Sequence, residues 1–92
     1  MGKFVSCRVL FKGTVQGVGF RYTAKHLARS YSVTGYVKNL YTGDVEVVAE
    51  GEQGEVEKFL GALQAEMSGY IRKTEMAWGE YQGRFSEFGV QF

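Results

Sequence analysis

The segment Gly13-Thr14-Val15-Gln16-Gly17-Val18-Gly19-Phe20-Arg21 is the part of this chain best equipped for chemistry. Its glycines let the backbone turn through left-handed conformations and approach a ligand closely. Successive amide N–H groups in such a turn form a concave nest for an anion, and a helix that follows adds the positive end of its dipole. Arg21 ends the segment with a planar fork of donors that matches phosphate bidentately. The residues therefore predict an oxyanion site in which the amides of Val15, Gln16, Gly17, Val18, Gly19 and Phe20 act together with Arg21. A tight strand-to-helix turn alone would also use glycine, but three glycines with an arginine at the helix start favour phosphate. Two nucleotide motifs fail on the same residues. A P-loop counted from Gly13 needs Gly where Val18 stands, and a dinucleotide fingerprint counted from Gly17 needs Gly where Tyr22 stands.

A chain of 92 residues with 45% hydrophobic and 15% aromatic content predicts one small domain, residues 1–92, with an ample core. Eleven basic and ten acidic side chains leave a formal charge of +1, too little for a broad field toward nucleic acid or an anionic membrane, so any anion site is local. The one cysteine, Cys7, sits in an alternating pattern and reads as a buried structural thiol of a reducing compartment. No apolar run suits a membrane span and no secretory signal is visible, which predicts a soluble, cytoplasmic protein. Met1 to Ser6 match a loose myristoylation pattern, set aside because strand residues begin almost at once. One histidine, one cysteine and the scattered Glu52, Glu55 and Glu57 offer no metal-ligand spacing, so neither metal nor cofactor is expected.

These candidate groups need a scaffold, and the hydrophobic period supplies one. Cys7, Val9 and Phe11 alternate as in a strand with one buried face, although Leu10 on the other face blurs the pattern. Phe20, Ala24, Leu27, Ala28 and Tyr31 form one helical stripe, with Lys25 and Arg29 turned to solvent and His26 off the stripe. Residues 34–39 and 45–50 read as strands around a hairpin turn at 40–44. Val56, Phe59, Leu60, Leu63 and Met67 share a second helix face, with Gly69 expected as its C-cap. Residues 71–78 and 85–92 read as further strands joined by a turn at 79–83. The order βαββαβ plus a C-terminal strand is that of an α+β ferredoxin-like sandwich, an antiparallel sheet with both helices on one face.

The stretch G-T-V-Q-G-V-G-F-R-Y from Gly13 to Tyr22 resembles the phosphate-binding signature of the acylphosphatase family. Gly35-Tyr36-Val37-Lys38-Asn39, followed by Gly43-Asp44-Val45-Glu46, resembles its second signature, and the likeness covers essentially the whole chain. The resemblance implies hydrolysis of acyl phosphates, with Arg21 and the loop amides on the phosphoryl group and Asn39 on the attacking water. Tyr36 stands where Trp is common in the family, Lys38 where Arg is common and Thr42 where Asp is common, and no Gly-Pro precedes residue 71. Inorganic phosphate and sulfate should compete for the same nest, and near-balanced charge predicts a monomer. The fold also serves RNA-recognition modules, but residues 45–50 offer carboxylates and no ring, which argues against RNA. A noncatalytic phospho-ligand sensor or partner module is the alternative that the fold leaves open.

Overall fold

A computed structural model describes residues 2–92, and the lipidation pattern starting at Met1 begins outside them. The chain forms β1 (Phe4–Gly13), α1 (Phe20–Ala28), β2 (Val33–Asn39), β3 (Val45–Glu52), α2 (Gln53–Glu66), β4 (Ile71–Glu80) and β5 (Phe88–Gln91). One five-stranded sheet runs β4-β1-β3-β2-β5. β1 lies antiparallel between β3 and β4, and β2 lies antiparallel to β3. β5 extends the sheet at the β2 edge in the parallel sense.

Strand register explains which face is buried. Cys7, Val9 and Phe11 stand opposite Ala49, Val47 and Val45, and all six are fully buried. Onto this face α1 packs Phe20, Ala24 and Ala28, while α2 packs Val56, Phe59, Leu60 and Leu63. Phe11 meets Phe20 with ring centroids 5.1 Å apart, and Phe59 meets Phe88 at the same distance. Leu10 interrupts the alternation because it belongs to the opposite face, where it stands beside Glu46 and Glu75.

That opposite face is not bare, which is why β3 is buried through Val45–Gly51 on both sides. Glu46 accepts bonds from Arg8 Nε at 2.6 Å and Tyr36 Oη at 2.9 Å. Glu50 accepts from the backbone N–H groups of Gln82 and Gly83 at 3.1 and 3.0 Å, fastening the β4–β5 loop across the sheet. Phe85 completes the cover with its ring against Tyr36, 5.8 Å between centroids. Tyr36 thus has a defined partner, and its phenol is pushed above the usual tyrosine range by burial and by the bond to Glu46.

Several boundaries differ from expectation. α1 stops at Ala28 because the N–H groups of Arg29, Ser30 and Tyr31 bond back three residues rather than four, so Tyr31 lies beyond the helix while still packing on Phe59. α2 ends at Glu66 and is capped by Met67, whose N–H bonds to Leu63 O at 3.0 Å; Gly69 lies two residues beyond the cap and has no left-handed φ. β4 runs on to Glu80 through the expected turn, held by pairing with Val5 and Ser6, and β5 is confined to Phe88–Gln91. No helix is long and apolar enough to cross a membrane.

Candidate functional site

The loop from Thr14 to Gly19 leaves β1 and enters α1 with its apolar side chains anchored inward. Val15 is fully buried, Val18 packs against the core and Phe20 rests on Phe11. Thr14 N–H donates to Tyr70 O at 2.9 Å, pinning the loop's first residue. Gly17 and Gly19 then take φ of 76° and 79°, in the left-handed region that L side chains occupy only at a cost. Gly19 is also the N-cap of α1 and offers no side chain to its orphan N–H groups. Among the described residues, the amide N–H groups of Val15, Gln16, Gly17, Val18, Gly19 and Phe20 donate to no protein acceptor. Burial of the side chains thus fixes a row of donors that the fold itself leaves uncommitted.

Asn39 ends β2, where it pairs with Val45 across the hairpin. Leu40 N–H bonds to Asp44 O at 2.9 Å and Gly43 N–H to Leu40 O at 3.1 Å, closing the turn beyond it. Gln16 reaches into this turn, its Nε2 donating to Leu40 O at 2.6 Å and to Asp44 O at 2.9 Å. Lys12 Nζ meets Asp44 Oδ2 at 2.8 Å, a second tie between β1 and the hairpin, and this bond raises the lysine's pKa. Asn39 Oδ1 is buried and has no hydrogen-bond partner.

Arg21, on the first turn of α1, shares with Asn39 a cavity of about 550 Å³. Val15, Gly17, Gly19 and Phe20 also line it, so most of the residues expected at the site come together. Gln16 and Val18 do not line it, since one side chain is engaged by the hairpin and the other by the core. Tyr22, Lys25, Val90 and Phe92 complete the wall and were not expected there. Lys25 had a signal, its spacing of four from Arg21 on a helix; Val90 and Phe92 arrive only through the parallel pairing of β5 with β2. The guanidinium of Arg21 lies over the Phe92 ring, 5.1 Å from its centroid, and makes no ion pair among the described residues. His26 is exposed and stacks on Tyr22 outside the cavity. Cys7 is sealed in the core, where burial pushes its thiol up to about 11, so it offers no nucleophile.

Amide donors and a guanidinium around one open cavity, with the Asn39 side chain in its wall, suit a tetrahedral oxyanion. Comparison with known proteins agrees with that chemistry. A family model for acylphosphatase matches residues 7–90. The acylphosphatase of Caldanaerobacter subterraneus subsp. tengcongensis is 37% identical over 91 residues, 98% of this chain and 99% of that protein. That of Vibrio vulnificus is 40% identical over 80 residues, 83% of this chain and 89% of that protein. The crystal structure of acylphosphatase from Bacillus subtilis superimposes with a TM-score of 0.85 at 26% identity, covering 96% of this chain and 99% of that one. By sequence over nearly its full length and by fold, this chain belongs to the acylphosphatase family.

Proposed function

We propose that the chain hydrolyses small acyl phosphates to a carboxylate and inorganic phosphate, using the cavity between the α1 loop and the end of β2. The observation that carries this reading is that Arg21, Asn39 and the loop residues Val15, Gly17, Gly19 and Phe20 line the same cavity. The phosphoryl oxygens lie in the nest of amides from Val15 to Phe20, with Arg21 as a charged, bidentate partner. The Asn39 side-chain amide, which can donate and accept hydrogen bonds, holds a water molecule with its lone pair toward phosphorus. The water oxygen attacks phosphorus in line, and the bond from phosphorus to the bridging oxygen breaks with the electron pair leaving on the carboxylate. One of the water's protons stays on the attacking oxygen and the other passes to a phosphoryl oxygen, giving dihydrogen phosphate, which loses a proton to solvent near neutral pH.

A carboxylate leaving group has a conjugate-acid pKa of about 4 and departs without a proton, so no general acid is required. Catalysis then rests on positioning and on donors aimed at the equatorial oxygens, which are the groups gathered here. In this mechanism the amides and Arg21 meet the phosphoryl charge, and no added metal is needed. Purified protein should release phosphate from acetyl phosphate or benzoyl phosphate, unaffected by EDTA and inhibited competitively by inorganic phosphate or sulfate. Tight phosphate binding without turnover would instead favour a noncatalytic sensor, and activity lost to EDTA and restored by Mg²⁺ would overturn the metal-free mechanism.

A further inference from the structure

Helix α1 carries Arg21 and Lys25, Arg29 follows directly at its C-cap, and the spacing of four puts all three on one side of the helix. From Phe20 to Arg29 there is no acidic residue, and none of the three cations has a carboxylate within ion-pairing distance among the described residues. Like charges four apart disfavour a helix. The dipole rewards cations in the last turn, which accounts for part of the placement of Lys25 and Arg29. It does not require Lys25 to share the cavity wall with Arg21, and no acidic side chain lines that cavity. Beyond it, Lys25 and Arg29 border a second depression whose one carboxylate is Glu87. The cationic row thus runs from the wall of the cavity along α1 to the edge of the second depression.

Taking the hydrolase reading as its basis, we propose that Lys25, supported by Arg29, forms a second anion subsite, and that the preferred substrates are acyl phosphates whose acyl part carries its own carboxylate or phosphate. One helical turn, about 6 Å of rise, separates Lys25 from Arg21, a span matched by a short acyl chain or one aromatic ring. Lys25 is exposed, and its flexible ammonium can follow anions placed at somewhat different distances. Tyr22, Val90 and Phe92 provide apolar wall for the carbon skeleton between the two charges.

Benzoyl phosphate and 4-carboxybenzoyl phosphate make the test, since they differ by one rigidly placed carboxylate that cannot attack its own anhydride. The readout is the ratio of kcat/KM for the carboxylated over the neutral compound. Lys25→Gln should lower that ratio by about tenfold, as loss of one partly screened charge pair implies, with Arg29→Gln giving a smaller decrease. Added salt should compress the wild-type ratio and leave that of Lys25→Gln nearly flat. An equal ratio in wild type and Lys25→Gln, with both compounds turned over, overturns the subsite alone. Turnover of neither compound by the folded wild-type protein overturns the hydrolase reading and the subsite with it.

Discussion

Arg21 and Asn39 meet in one cavity but stand in different surroundings, and their substitutions should fail differently. Arg21 contributes charge and shape, while its neighbours Phe20 and Ala24 hold the helix to the core. Arg21→Ala should therefore keep a native circular dichroism spectrum and lower kcat/KM by roughly a hundredfold or more. Arg21→Lys should recover little, because an ammonium cannot reproduce the guanidinium fork or its stacking on Phe92. Near-wild-type turnover in either variant would remove the arginine from the mechanism. Under the proposed mechanism Asn39 has the reverse signature, since its amide holds the nucleophile and not the phosphoryl group. Asn39→Ala should lower kcat by roughly a hundredfold while leaving phosphate affinity almost unchanged. Asn39→Asp keeps the size but sets a negative charge beside the phosphoryl group, and it too should be inactive near neutral pH. A variant whose sole defect is weaker phosphate binding would return Asn39 to a structural role at the hairpin.

At the level of elements, the site works only if the loop before α1 and the hairpin after β2 keep a fixed separation, and Gln16 spans them with two hydrogen bonds. Gln16→Ala removes both bonds, a loss of about 1 to 2 kcal/mol, and should lower Tm by several degrees in a domain of this size. Under the proposed mechanism the loop that meets the phosphoryl group and the strand end that holds the water would drift relative to each other, so kcat should fall by about tenfold with a smaller change in KM. Loss of stability with unchanged kcat would show that Gln16 braces the fold and not the site. This tie also marks where sequence reasoning stops. Asn39 was reached through the family resemblance of its strand and turn, whereas the glycines and Arg21 were legible because turn geometry and donor chemistry are local properties. The side-chain reach of Gln16 to carbonyls 24 and 28 residues away is not. The same limit hid Val90 and Phe92, which depend on the parallel pairing of β5 with β2. Gly69 misled because helix-ending glycine is a strong local signal, yet α2 closes through Met67 without a left-handed residue and with Tyr70 N–H on Met67 O.

For the whole molecule, a fully buried titratable group that does not line the cavity gives a measure of the fold itself. Cys7 is fully buried in β1 among Val9, Ala49 and the two helices' apolar faces, as its place in the alternation implied. Burial disfavours the thiolate and pushes its pKa from 9.0 to about 11. In the unfolded chain the thiol ionises at the lower value, so above it the folded state holds more protons. The contribution to stability is therefore complete below about pH 9 and declines as pH rises toward 11. The loss amounts to about 2 to 3 kcal/mol over that window, near 1.4 kcal/mol per pH unit. Absolute stability also reflects lysines and tyrosines, so the informative quantity is the difference between wild type and Cys7→Ala. The alanine variant starts less stable because it leaves a small void, but it lacks this titration. Urea melts should show the gap between the two proteins narrowing from pH 9 to pH 11, whereas parallel curves would mean that the thiol ionises equally in both states. The same burial predicts that a thiol reagent at neutral pH modifies Cys7 only as fast as the sheet and helices open. Labelling faster than opening would place the sulfur at the surface and contradict the packing of β1.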